Sequence, residues 1–212
     1  MHDRRSALRL AFGAAAALCP LCRSGGAAAA EVHWEYEGAN GPDAWGKLAP
    51  EFQACSAGRE QTPIDLKEGI RAEPGILSYA YKRMPVRVLN NGHTIQLKAA
   101  DGSVLTLDGG EWALKQIHFH TPSEHTIDGK SFPGEVHFVH QNADGALAVL
   151  GVMIAEGAAD NAAWKPYVDA LGTAVGTDGT ATVDWAAMLP SNLQTFRYSG
   201  SLTTPPCSEG VS

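Results

Sequence analysis

The chain reads as an α+β protein, a single domain built on a large, mainly antiparallel twisted β-sheet with a few short helices. Three observations carry that expectation. Short stretches of period-two alternation recur along the chain, turn-forming residues separate them, and helical periodicity is confined to one place.

Over 85–89, Val86 and Val88 alternate with polar neighbours, Asn91-Gly92 supplies a strong turn signal, and alternation resumes over 94–98. That pattern predicts a hairpin. Further strands are expected at 104–107, 112–120, 135–140 and 147–154. The last is apolar on both faces and is therefore predicted to lie centrally. Over 160–171, Ala163, Trp164, Tyr167 and Leu171 fall on one stripe, which predicts a helix. No internal repeat or long linker interrupts the pattern, and 212 residues suit one domain with a sizeable core.

With 44% hydrophobic and 18% charged residues the composition is globular, and the formal net charge is −7. Nothing resembles a basic stripe able to displace counterions from phosphates, so a nucleic-acid partner is not expected. Small-molecule substrates fit better. Residues 1–30 differ from the rest: Arg4-Arg5 and Arg9, then an alanine-rich apolar run over 10–18, then small residues through Ala30. This order of parts predicts an export signal peptide, too short and weakly apolar for a membrane span. Arg4-Arg5 followed by Leu8 is twin-arginine-like, a Sec leader being the alternative. The mature domain, 31–212, is expected to be exported, periplasmic or secreted, with no transmembrane segment. Cys19 and Cys22 fall inside the leader, so their C-x-x-C spacing is set aside. Cys55 and Cys207 remain, and an even count in an oxidising compartment favours one disulfide over two separate buried thiols.

Five of the eight histidines fall between His118 and His140. In Gln116-Ile117-His118-Phe119-His120 the two imidazoles share one strand face, with Ile117 and Phe119 on the other. If the connector holding Pro122, Asp128-Gly129 and Pro133-Gly134 folds back, His137 of Glu135-Val136-His137-Phe138-Val139 completes a three-imidazole set. Three neutral nitrogen donors with a fourth position open suit catalytic rather than structural zinc. Gln116 and Glu135 each precede a proposed ligand by two residues, placed to accept the second N–H of an imidazole. His125 and His140 are poorer candidates and are expected to be hydrogen-bonded core or rim residues.

Near the C-terminus Ser201-Leu202-Thr203-Thr204-Pro205-Pro206-Cys207 forms a loop stiffened by two prolines. Together with Trp34-Glu35-Tyr36, Asn40-Gly41-Pro42, Gln61-Thr62-Pro63-Ile64, Asn91-Gly92-His93, both histidine patches and Ala148-Val149-Leu150-Gly151, it resembles the α-class carbonic anhydrases, of the exported bacterial type. The resemblance implies Zn²⁺ held by His118, His120 and His137, with Gln116 and Glu135 as their hydrogen-bond partners. It implies reversible hydration of carbon dioxide to bicarbonate and a proton through a zinc-bound hydroxide. In that enzyme class zinc is known to lower the pKa of its water to ~7, from ~9 for aqueous zinc.

By the same resemblance, Thr203 orients the hydroxide by donating to Glu124, and His93 is the proton shuttle. Thr204 is implied beside Thr203; Val139, Val149 and Leu202 are implied as the apolar pocket wall, and Tyr36 and Gln96 on the polar, water-holding side. Cys55 and Cys207 match the disulfide of bacterial members. The family continues for some tens of residues beyond the position of Ser212, so the domain is expected to lack C-terminal strands. Two rival readings stand beside this one. His118-x-His120-x-x-x-Glu124 also fits a cupin-type metal-dependent oxygenase. A non-catalytic binding domain of the same fold is the other.

Overall fold

The structure, a computed structural model, describes residues 32–67, 69 and 77–212. The chain divides into the units Met1–His33 and Trp34–Ser212. Only Val32 and His33 of the first are described, so the predicted signal peptide, with Cys19 and Cys22, lies outside the described residues.

The second unit is built from short helices α1 (Trp45–Leu48), α2 (Ala54–Ala57) and α3 (Lys165–Val168) and twelve strands. These are β1 (Asp65–Leu66), β2 (Leu77–Ala80), β3 (Arg83–Asn90), β4 (Ile95–Lys98), β5 (Val104–Leu107), β6 (Gly110–His120), β7 (Thr126–Ile127), β8 (Gly134–Gln141), β9 (Leu147–Ile154), β10 (Asp178–Asp184), β11 (Gly200–Ser201) and β12 (Glu209–Val211). Eight of them make one sheet, in which β10, β3, β4 and β6 are successive neighbours. The 11-residue β6 organises it: its first half pairs with β5, its second half with β4, and β8 runs along its other edge, followed by β9. All ladders of this sheet are antiparallel.

The predicted hairpin is β3–β4, from Arg87↔Lys98 to Asn90↔Ile95. Gly92 takes a left-handed φ of +90° at its turn, which an L side chain rarely adopts. Strand β3 alternates Met84, Val86 and Val88 inward with exposed neighbours. Their face joins Leu97, Ile117, Phe138, Val183 and Trp185, all fully buried, into the core. Burying each such side chain stabilises the fold by about 1.5–3 kcal/mol.

A register shift between Leu114 and Gln116 interrupts the β6–β8 ladder. Because a bulge inserts one extra residue, it reverses the facing of everything beyond it. Leu114 therefore packs in the core, whereas Gln116, His118 and His120, of the same parity, face the other way.

Two sequence expectations need correction. Strand β9 is not central: among the described residues its ladder partner is β8 alone, with Ser212 adding backbone bonds at Leu147 and Val149. Its residues are mostly half-buried. The helix expected over 160–171 shrinks to a short 3₁₀ turn and α3. Pro166 cannot sit in a helix interior, so the α-helix begins at Lys165, and it ends at Val168 with Asp169 as its C-cap. Ala163, Trp164 and Tyr167 do pack on the core, but Leu171 is 55% exposed and Ala170 is buried instead.

Candidate metal centre

Strand pairing brings the histidines together. His118 and His137 are directly opposed across β6–β8, and His120 opposes Glu135. The three rings of His118, His120 and His137 stand 4.6–5.3 Å apart between centroids, and one nitrogen from each lies within 4.8 Å of the others. The connector has folded back as the turn residues predicted.

Hydrogen bonding selects which nitrogen each ring presents. His118 donates from Nδ1 to Gln116 Oε1 at 2.9 Å, and His137 donates from Nε2 to Glu135 Oε1 at 2.8 Å. These bonds leave His118 Nε2 and His137 Nδ1 free to act as bases. His120 Nδ1 lies 3.2 Å from Glu124 Oε1, and its Nε2 is buried with no hydrogen-bond partner among the described residues. Burial first, and then the neighbouring imidazoles, lower the pKa of His118 and of His120 to about 3. Both rings are neutral at pH 7, the form that can donate a lone pair to a metal.

Glu135 is the hub beneath them. It is fully buried, yet Oε1 accepts from His137 Nε2 and from His125 Nδ1 at 2.7 Å, while Oε2 accepts from the amides of Glu124 and His125 at 3.0 and 2.9 Å. Burial alone would raise its pKa. The hydrogen bonds from His125 and His137 outweigh that and hold the carboxyl well below the usual carboxylate range. Gly151, opposite His137 on β9, makes room for it: a Cβ there would stand 2.9 Å from Glu135 Oε1.

His125, expected at the core or rim, is an 8% exposed member of this network. Its Nε2 meets the Tyr198 hydroxyl at 2.5 Å, which donates on to Thr62 Oγ1 at 3.2 Å. Sequence reasoning missed Tyr198, because it lies in an irregular stretch with no periodicity to mark it. His125, Glu135 and His137 also form a group that could hold a metal. Their facing atoms are already joined to one another at 2.7 and 2.8 Å, so this group is a hydrogen-bond chain supporting the first. His140 lies on the opposite sheet face, fully buried and 2.6 Å from the Tyr81 hydroxyl.

The histidines open on a cleft of about 790 Å³. Val139, Val149 and Leu202 line it, as do Thr203, Thr204, Tyr36, Gln96 and His93. The Glu124 pKa is raised chiefly by burial, while Thr203 is among the neighbours that lower it. Partial desolvation, then the charge of Glu124, push the Tyr36 phenol up to about 12. The His93 ring stacks on Trp34, with centroids 3.8 Å apart and 7° between planes.

The loop carrying Thr203 and Thr204 joins β11 to β12 and is tied down from three directions. Cys207 is disulfide-bonded to Cys55, with Cα atoms 5.0 Å apart. Thr62 and Ser201 exchange two hydrogen bonds at 2.9 Å. Glu209 Oε1 accepts from the amides of Arg59 and Glu60 and from Gln61 Nε2, at 2.5, 2.7 and 3.1 Å.

Residues 40–212 match the family model for eukaryotic-type carbonic anhydrase. A curated carbonic anhydrase of Pectobacterium atrosepticum is 45% identical over 183 residues, covering 85% of this chain and 74% of that one. One from Neisseria gonorrhoeae is 40% identical, covering 85% and 72%. Among solved structures, the α-carbonic anhydrase of Thermovibrio ammonificans in complex with the inhibitor sulfanilamide superposes with a TM-score of 0.82 at 41% identity, covering 85% of this chain and 81% of that one. The Photobacterium profundum α-carbonic anhydrase gives 0.79 at 40% identity, covering 84% and 82%.

Proposed function

From a chain that belongs to the eukaryotic-type (α) carbonic anhydrase family, we infer an enzyme that hydrates carbon dioxide reversibly to bicarbonate and a proton, with Zn²⁺ held by His118, His120 and His137. One observation carries the metal assignment: three imidazoles converge with a nitrogen each within 4.8 Å, and the buried His120 Nε2 has no hydrogen-bond partner among the described residues. An all-imidazole donor set suits zinc, and it adds no negative charge that would oppose loss of a proton from coordinated water. Bound there, zinc supplies the Lewis acidity that makes water a nucleophile near neutral pH.

The chain's own residues do the rest. Gln116 and Glu135 hold two ligand rings in the tautomer that leaves the metal-facing nitrogen unprotonated. Thr203, which lines the cleft, is assigned to donate its one proton to Glu124 and so to accept a hydrogen bond from the cleft. That restriction orients the attacking oxygen toward the substrate. Carbon dioxide is apolar, and Val139, Val149 and Leu202 give it an apolar wall beside the nucleophile. Thr204, Tyr36 and Gln96 form the polar side, where water can be ordered. His93, on the rim, carries the released proton outward. The Cys55–Cys207 bond supports an oxidising destination, consistent with an exported, periplasmic or secreted protein whose leader occupies 1–30 and whose catalytic domain is 31–212. The cupin reading gains no support from the family comparison.

The test is stopped-flow carbon dioxide hydration on protein of measured zinc content. We expect turnover that tracks zinc stoichiometrically and is lost with the metal in His118→Ala. A folded protein that binds zinc at one equivalent and shows no hydration would reject the enzymatic reading.

A further inference from the structure

The turn that carries His93 meets the ligand strand through one side chain. The β4–β6 ladder reaches only Leu97↔Ile117, and two residues further along β6 the Phe119 carbonyl accepts instead from the Thr94 hydroxyl, at 3.1 Å. Phe119 sits between two of the proposed ligands, His118 and His120. Thr94 sits next to His93, in a turn whose amides at 93 and 94 both bond to Asn91 Oδ1.

Having donated its one proton to the Phe119 carbonyl, the Thr94 hydroxyl fixes the backbone of a residue whose ring is itself held by α3. The Tyr167 ring stacks on Phe119, with centroids 3.7 Å apart, while Trp164 meets the same ring edge-on at 5.0 Å. Phe119 is thus held from two sides: Tyr167 and Trp164 pack on its ring, and the Thr94 hydroxyl ties its carbonyl to the His93 turn.

We propose that Thr94 and Tyr167 are positioning residues that set the distance between the His93 imidazole and the ligand strand. This rests on His93 carrying the proton. Neither residue touches the reacting atoms. Without the Thr94 hydroxyl, the turn keeps its internal bonds to Asn91 but loses this side-chain tie to β6. Proton transfer is steeply sensitive to such displacements.

The experiment compares Thr94→Val, which keeps the shape and removes the hydroxyl, Tyr167→Phe, which keeps the stack, and His93→Ala. In weak buffer, kcat for Thr94→Val is expected to fall about fivefold, the factor equivalent to one neutral hydrogen bond, with kcat/KM unchanged and imidazole restoring turnover. Tyr167→Phe, which retains the ring contact with Phe119, should keep the parent kcat. In the metal-free protein, amide hydrogen exchange over 91–96 should accelerate in Thr94→Val by a similar factor. If His93→Ala slows turnover and Thr94→Val does not, the positioning role is wrong and the proton carrier stands. If His93→Ala has no effect, both fall. A parallel loss of kcat/KM in Tyr167→Phe would show a general packing role and also overturn the proposal.

Discussion

Replacing Glu135 by glutamine changes one atom's chemistry and leaves its shape, so the consequence can be worked through donor by donor. The carboxylate now accepts four hydrogen bonds, two on each oxygen. A glutamine has one oxygen and one NH₂, so one pair of donors must face another donor. The amides of Glu124 and His125 cannot change, which pins the glutamine oxygen on their side and turns its NH₂ toward His125 Nδ1 and His137 Nε2. His137 can accept from that NH₂ only by moving its proton to Nδ1, the nitrogen that faces the other imidazoles. A protonated nitrogen cannot ligate. Zinc affinity should therefore fall by roughly 10–100-fold, the range measured for such outer partners, carbonic anhydrases among the systems studied. That corresponds to about 1.4–2.7 kcal/mol. Competition with a chromophoric chelator at neutral pH measures it directly, and far-UV circular dichroism checks that the protein is folded. A folded Glu135→Gln protein that binds zinc within a factor of two of the parent would refute the tautomer argument.

Three further outcomes are expected. Thr203→Ala should lower kcat/KM about 10²-fold, as loss of an orienting contact at the reacting atoms generally does, while zinc stoichiometry by atomic absorption stays at one. Gly151→Ala places a methyl 2.9 Å from Glu135 Oε1, and should lower zinc affinity and melting temperature together; an unchanged melt would show that the strand gives way at no cost. His140 is buried and its pKa is lowered to about 4 by desolvation. The folded state resists the proton that the unfolded chain accepts below about 6.5, so stability should drop as pH falls from about 6.5 to 4, by up to roughly 3 kcal/mol. Urea titrations of the metal-free protein across that window should be steeper in pH than those of His140→Leu, and equal slopes would assign the acid sensitivity elsewhere.

What the sequence showed it showed through period two. His118, His120 and His137 could be placed on one face because strand parity is rigid, and Asn91-Gly92 announced its hairpin because few residues other than glycine adopt a left-handed φ cheaply. The register shift after Leu114 was not legible, since a bulge leaves no signal beyond the disagreement between Leu114 and Gln116 that it creates. Leu171 was placed wrongly because 160–171 was counted as one helix, whereas Pro166 lets a helix start there but not run into it from upstream, and α3 ends at Val168. The apolar run of β9 suggested a central strand, yet composition reports the wish to be covered and not the neighbour that does it. Tyr198 meets His125 from 73 residues away and Thr62 meets Tyr198 from 136, in irregular backbone where spacing carries no information.

The fastening of the Thr203 loop has a consequence for the order of assembly. The metal-binding hairpin of β6 and β8 closes over a short stretch of chain, whereas the loop above it is seated by Glu209 on Arg59, Glu60 and Gln61, about 150 residues upstream. Closing the longer span has the greater entropic cost and is the slower event. On the proposed function, a newly made molecule is expected to own a place for its ion before it owns the device that aims the reaction, making capture of metal and onset of turnover separate moments in its maturation.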